Sequence, residues 1–334
     1  MRRLNVIGRG SAALCDVILL ASLLSLGAVF VTRYADMTHH RRRNSRRDFP
    51  MTSSSDEESP DESPTPTDSA LSHQTVEELL GRIPDVRPAV CRRRQYGQLP
   101  VASVVIVFSD YEFYDARTTV ASILRHADDL IHVSEIILVD DASTREHVLQ
   151  DTQNYFRSIS RSFPVVRLVR LGVRLGRVRA RSLVVDEHVT SDVAVLVNAG
   201  VICVAGWLAP LLELISSASD GQTTIAVPHY DHVTHPVRLD YVLTHSDLVA
   251  TLSWSLTVRM QRVSRQDGLW WPVPVVRGDV LVVRRSFLSS LGGLYDARLE
   301  QGTGAGEHVD LSLRTWLCGG NIKVQPHRAI ATSF

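Results

Sequence analysis

The sequence predicts an α/β fold: a doubly wound, mostly parallel sheet flanked by helices. Three observations predict it. Continuous apolar, β-branched runs recur from residue 101 onward, and buried parallel strands require such runs. Segments of helical character separate them, as right-handed βαβ crossovers demand. Two of the runs end in polar residues, at Asp140–Asp141 and at Asn198. In open α/β sheets, ligands sit beyond the carboxyl ends of strands.

Taken in order, the chain starts with a short basic segment, 1–11, read as a cytoplasmic tail. From Ala12 to Val31 runs AALCDVILLASLLSLGAVFV, close to the ~20 residues that span a bilayer as a helix. Its one charge, Asp16, lies near an end and can reach the interface. The run is read as a membrane anchor. A cleaved signal peptide is the other reading, although no A-x-A-like site follows the run. Arg33, Arg41, Arg42, Arg43, Arg46 and Arg47 come after it, and the positive-inside rule places that side in the cytoplasm. Residues 32–82 are a stem. They include SSSDEESPDESPTPTDS, too poor in apolar residues to offset chain entropy.

The folded part begins near Ile83. VASVVIVF from Val101 is the first strand, and a helical stretch covers Arg117 to His126. EIILVDD, Glu135 to Asp141, is the second strand, and PVVRLVRL is the third. Arg177 to His188 reads as a helix, and DVAVLVNAG, Asp192 to Gly200, is the fourth strand. Strand ends therefore gather Asp140, Asp141, Asn198 and Gly200.

Composition removes several function classes. The formal net charge is zero, so no global field attracts nucleic acid. Lys323 is the sole lysine, a bias that genome composition explains as well as function does. Cys15, Cys91, Cys203 and Cys318 are too scattered for a disulfide scaffold or a zinc site. The thirteen histidines include His229, His232, His235 and His245 in what reads as a loop. Their spacing fits no familiar metal motif.

IPDVRPAVC at Ile83–Cys91, then SVVIVF, EIILVDDAS, GWLAPLLELI and TWLCGG, follow one another in an order that resembles the polypeptide N-acetylgalactosaminyltransferases. The resemblance covers 83–334 and implies a GT-A, Rossmann-like domain in a single-pass type II Golgi membrane protein with that domain in the lumen. The family uses UDP-GalNAc and Mn²⁺ to modify Ser and Thr hydroxyls. Most members add a C-terminal lectin domain; with the sequence ending at Phe334, none is expected here.

The resemblance also assigns roles. The second acid of VDD, Asp141, falls where the family contacts uracil, although a strand-end carboxylate also serves as a turn cap. RLGRVRAR matches an arginine-rich segment, with Arg174 at its first arginine and Arg179 and Arg181 at the later pair. Guanidinium forks suit a diphosphate; an exposed basic helix face fits the same residues. Glu307 keeps its family position in GAGEH, but Gly304 stands where the family has tryptophan. Trp254 and Arg259 match a further motif. Arg277 and Asp279 fall where small residues line the family's sugar pocket. Cys91 would pair with a cysteine where His327 stands, and Cys318 with one beyond Phe334.

The implied metal ligands all differ. The family's Asp-x-His becomes Asn198 and Gly200, with Ile202 at a nearby glutamate, and the third ligand falls on Thr332. Mn²⁺ prefers carboxylate and imidazole donors, so no metal cofactor is expected. The expectation is an inactive, GalNAc-transferase-like protein of the Golgi that binds UDP or UDP-GalNAc weakly and acts through protein partners. The alternative is a metal-independent transferase in which Arg174, Arg179 or Arg277 supplies the positive charge. A third reading is a decayed gene product with no stable function.

Overall fold

The structure, a computed structural model, describes residues 76–333 except positions 82, 84, 86, 88, 164, 234–240, 243–246, 254–257, 264–269 and 297–305. Two short helices, α1 (Val76–Gly81) and α2 (Ala89–Arg92), lead into strand β1 (Ala102–Phe108). Then come α3 (Glu112–Leu124), α4 (Ala127–Leu130), β2 (Val133–Asp140), α5 (Glu146–Ser160), β3 (Val166–Arg170), α6 (Arg177–Glu187) and β4 (Val193–Asn198). The second half holds β5 (Val201–Cys203), α7 (Ala209–Ser216), β6 (Thr224–Val233), β7 (Tyr241–Val242), β8 (Asp247–Leu252), β9 (Val258–Val263) and β10 (Trp271–Pro272). It closes with β11 (Val280–Arg284), α8 (Arg285–Ser290), α9 (Gly306–Leu317) and β12 (Asn321–Ser333).

All seven residues of β1 are buried, and the strand pairs in parallel with β2 on one side and β4 on the other. The main sheet runs β10-β12-β6-β11-β4-β1-β2-β3. Its parallel half, β3-β2-β1-β4, is the one the apolar runs predict. The other half is mixed, because β11 lies antiparallel to both β4 and β6 while β6 and β12 are parallel. Strand alternation sorts the core into two layers. Val104 and Ile106 pack on one face with Phe113, Val120, Ile123 and Leu211. Val105 and Val107 pack on the other with Ala180, Val184, Leu288 and Leu311. From β1 the chain moves outward to β2 and β3, then returns across the sheet through α6 to β4. The strand order therefore reverses beside β1, where α/β sheets form their ligand crevice.

Several boundaries differ from the sequence reading. Helix α3 starts at Glu112 rather than Arg117, because the Glu112 carboxylate accepts from the Ser109 N–H at 3.1 Å and satisfies a free donor at the helix start. Strand β4 ends at Asn198, because Gly200 takes a φ of +88° that turns the chain. Helix α5 went unread, although Val148, Thr152, Tyr155, Phe156 and Ile159 sit at helical spacing and face the core. The histidine segment is no loop at its start: His229 and His232 lie in β6, held between β11 and β12, while positions 235 and 245 lie outside the described residues. Among the described residues no helix is long and apolar enough to cross a membrane. The apolar run at 12–31 and positions 32–75 of the stem read as 32–82 lie outside them, while positions 76–81 of that stem form α1.

Arg314 fixes α9 against the turn that follows α8. It is 5% exposed and donates to the carbonyls of Leu291 (3.0 Å), Gly293 (2.8 Å) and Leu294 (2.9 Å), just past the end of α8. Its Nη2 also reaches Asp310, one turn earlier, at 2.7 Å. Arg314→Met should cost about 3 kcal/mol or more, because it strands three buried carbonyls and a carboxylate. Arg314→Lys should cost less but still measurably, since one ammonium cannot reproduce the planar fork. Urea unfolding midpoints at constant slope would check both; equal midpoints for all three proteins would refute the assignment.

Candidate functional site

The ends of β1, β2 and β4 present a polar cluster on the side the topology selects. Asp110 follows β1 with φ +47°, and Ala142 follows β2 with φ +50°. The Asp110 carboxylate accepts from the Thr144 N–H at 2.9 Å, and Arg174 donates to its other oxygen at 3.0 Å. Those backbone donors, with Arg174, hold the Asp110 carboxyl below its ordinary range. Asp110 carried no signal of its own in the sequence; its only clue was its place directly after the β1 run.

Asp140 accepts from the Ser143 N–H at 2.8 Å. Asp141 is buried, and its two oxygens accept from the backbone N–H groups of Leu175 and Gly176, each at 2.8 Å. It therefore pins the loop before α6 to the end of β2. Contact with a base would have to use its remaining lone pairs. Arg174 stands half-exposed at the rim, Arg177 pairs with Glu112 at 3.1 Å, and Arg179 lies on the exposed face of α6.

Arg181 differs from these. It lies on the inner face of α6 and is 1% exposed. Its Nη2 donates to Asn198 Oδ1 at the end of β4. The Asn198 amide nitrogen donates to Asp279 Oδ1 at 3.0 Å, and Arg277 Nε donates to Asp279 Oδ2 at 2.7 Å. The Arg277 guanidinium lies 4.2 Å from the centre of the Tyr230 ring. Tyr230 in turn accepts from the Val280 N–H at 2.8 Å. Arg277 and Asp279 thus pair with each other, and Asp279 also takes the Asn198 amide.

Gly200 and Thr332 reach the same corner by backbone. Gly200 donates to Thr119 Oγ1 at 3.0 Å, and Thr332 pairs with Val201 between β12 and β5. The sheet therefore brings together positions 198, 200 and 332. The residues there do not fit a divalent cation. The Asn198 oxygen is engaged by a guanidinium, Gly200 supplies no side chain, and the nearby Asp279 carboxylate is tied by two donors. Among the described residues no three histidine, cysteine or acidic side chains are grouped to hold a metal ion. Trp254 and Gly304 lie outside the described residues, Arg259 is exposed on β9, and Cys91 is buried in α2.

Glu307 and His308 start α9 beside this corner. Burial raises the Glu307 carboxyl above its usual range against the pull of Arg181 and Arg177. Burial, together with Arg181, pushes His308 down to about 4. The His308 ring fills the space over Gly278, where an added Cβ would lie 1.7 Å from it. At neutral pH His308 is uncharged, so its 3.3 Å approach to Glu307 is not an ion pair.

A three-layer α/β domain with acids and arginines at the ends of its parallel strands is a ligand-binding α/β fold with its crevice at the strand ends. The chain belongs to glycosyl transferase family 2, whose family model matches residues 103–292. It is 32% identical over 259 residues to polypeptide N-acetylgalactosaminyltransferase 4 of Mus musculus, covering 74% of this chain and 42% of that protein. It is 31% identical over 267 residues to polypeptide N-acetylgalactosaminyltransferase 6 of Homo sapiens, covering 75% and 40%. The chain thus spans about two-fifths of the length of these relatives. A crystal structure of GalNAc-T7 with UDP, GalNAc and Mn²⁺ superposes with a TM-score of 0.68 at 23% identity, over 80% of this chain and 49% of that one. That likeness establishes the fold.

The low pKa of His308 has a consequence for stability. A histidine held neutral by the fold contributes stability above its unfolded value of 6.5, and that contribution is lost as pH falls toward about 4. The loss is on the order of 3 kcal/mol as an upper bound. His308→Asn should flatten the pH dependence of the melting temperature between pH 7 and 4. A variant whose profile keeps the wild-type slope in that window would show that His308 is not the group responsible.

Proposed function

We propose that this chain is a pseudoglycosyltransferase of the polypeptide N-acetylgalactosaminyltransferase type, which keeps a nucleotide-binding strand end but has lost the catalytic metal and the transfer reaction. One observation carries the reading. Where the resemblance puts a metal-binding aspartate, the Asn198 amide is shared between a buried cation, Arg181, and Asp279. A guanidinium in contact with the first ligand position repels a second cation. The metal's task in such transfer is to neutralise the departing diphosphate, worth several kcal/mol, and each ~1.4 kcal/mol is tenfold in rate. Asp141 and Arg174 remain for the nucleotide, with Glu307 retained at the start of α9. The function left to such a fold is recognition: UDP or UDP-GalNAc weakly, and protein partners in the Golgi.

The second reading is a metal-independent transferase. What favours it is the buried Arg181 rather than the surface arginines, since Arg174 stands at the solvent rim and Arg277 is matched by Asp279.

This reading includes a type II anchor at 12–31 and a lumenal 83–334. Its support is the apolar length of the run and the resemblance; the arginines after residue 31 argue for the opposite topology. Protease protection in sealed Golgi vesicles separates the two: digestion from outside of the 83–334 region would reverse the orientation.

UDP should bind the purified full chain with an affinity that Mn²⁺ does not improve, and UDP-GalNAc with Ser/Thr peptides should give no product with or without EDTA. The triple change Asn198→Asp, Gly200→His and Thr332→His should give UDP binding a Mn²⁺ dependence, at a stability cost because position 200 requires a positive φ. Peptide transfer should stay near zero, since loss of near-attack geometry alone costs ~10²-fold per ångström. Product formation by the wild type would end the pseudoenzyme reading, and product in EDTA would establish the second.

A further inference from the structure

A second cleft lies at the other end of the sheet. β6 and β12 are parallel, and both run in the direction of β4, because β11 is antiparallel to β4 and to β6. Their first residues, Thr224 and Asn321, therefore stand at the end opposite Asn198. Beside the last turn of α7 this end holds a cleft of about 440 Å³, a size typical of small-ligand sites. Arg94, Gln98, Glu213, Asp220, Trp270 and Lys323 form its polar and aromatic wall.

That wall is charge-balanced. Lys323 is buried, and its ammonium donates to Asp220 Oδ2 at 2.6 Å. The same ammonium lies 4.1 Å from the centre of the Trp270 ring. Lys323 is the sole lysine of a chain that otherwise uses arginine, and a compact ammonium suits the space between a carboxylate and a ring. Arg94 Nη2 donates to both oxygens of Glu213, at 2.7 and 2.8 Å. Two cations and two carboxylates thus cancel, yet each pair keeps hydrogen-bonding capacity. An ammonium has three N–H groups, a guanidinium has five, and each carboxylate has about four lone-pair sites. Gln98 is exposed and adds a neutral amide. Trp270 is 42% exposed, so part of its ring faces the cleft.

Charge decides what such a cleft takes. An anion would have to displace Asp220 or Glu213 from its cation, and a cation would have to displace Lys323 or Arg94. A wholly apolar ligand would strip water from four charges without replacing its hydrogen bonds. A neutral polyol breaks neither pair, because hydroxyls donate to the spare lone pairs and accept from the spare N–H groups. A pyranose ring carries its hydroxyls around the edge and C–H groups on its faces. The faces can pack on the exposed indole while the edge meets the polar wall.

We propose that this cleft is a saccharide site, in which a neutral pyranose packs on Trp270 and hydrogen-bonds to the Lys323–Asp220 and Arg94–Glu213 pairs. It shares no residue with the strand-end corner and does not rest on the function proposed above.

Saturation-transfer NMR on the purified full chain, with lactose, maltose and N,N′-diacetylchitobiose as separate probes, tests the assignment. At least one should bind wild type saturably, and saturating UDP should leave that binding unchanged. Trp270→Ala should weaken it by about tenfold, and Trp270→Phe, which keeps an aromatic face, should restore most of the loss. Gln98→Ala, at an exposed position that the fold does not depend on, should weaken it in the same direction. If none of the three sugars binds, the proposal falls. It falls equally if a sugar binds but UDP displaces it, or if Trp270→Ala and Gln98→Ala leave its affinity unchanged, since the sugar then sits elsewhere. Displacement of the sugar by inorganic phosphate or by free glycine would show that the cleft takes ions, and would overturn the neutral-ligand assignment.

Discussion

The strand-end corner is organised by one buried charge. Arg181 sits between α6 and the sheet, where an unmatched ion is costly by several kcal/mol. It is answered by an amide, and the amide's second end needs an acceptor of its own. Asp279 fills that need, its other oxygen takes Arg277, and Arg277 lies over Tyr230. Tyr230 closes the series on the backbone of Val280. Side chains from α6, β4, β6 and the turn before β11 are thereby held in one arrangement, and each substitution in the series makes sense only with the others. Arg277 and Asp279, read singly, look like intrusions into a pocket of small residues. Read together they are the counterweight to one another and the support for Asn198.

How much of this the sequence disclosed follows from the range of the interactions involved. The parallel half of the sheet was legible because burial on both faces writes itself locally, as in ASVVIVF and VAVLVN. The mixed half was not, because β6, β11 and β12 are joined across long separations and their order depends on pairing rather than on composition. The start of α3 was misjudged because it is set by a single side chain, Glu112, reaching back to Ser109. At the site, the positions were legible and their tasks were not. Asp141 stands at the strand end the pattern indicates, but its use as a clamp on the Leu175–Gly176 backbone depends on a loop thirty-four positions away in sequence. Arg181 differs from Arg179 only in which face of α6 it occupies, and nothing in RLGRVRAR marks one as buried and the other as exposed.

The sheet core and the strand-end corner are built from different residues. The core faces of β1 and β4 are filled by apolar side chains that run up to Phe108 and Val197, and the site's polar groups begin only beyond them. Residues at 198, 200, 277 and 279 can change without reopening that packing, provided their own charges and hydrogen bonds are balanced. Gly200 shows the limit of that freedom. Its positive φ turns the chain from β4 into β5, so any side chain there has to be borne by the backbone.

Asparagine and aspartate at position 198 differ by one atom and one charge, and the surroundings respond to both. An aspartate would pair with Arg181, face the Asp279 carboxylate across the contact the amide now bridges, and offer an oxygen to a cation. The asparagine accepts one bond, donates another, and gives the guanidinium no charge partner at that position. In a low-dielectric setting such a charge acts far more strongly than it would in water. Where the resemblance implies a metal ligand, the asparagine oxygen instead accepts from the buried guanidinium of Arg181. On the pseudoenzyme reading, the absent carboxylate at position 198 and the cation held against it are one structural feature.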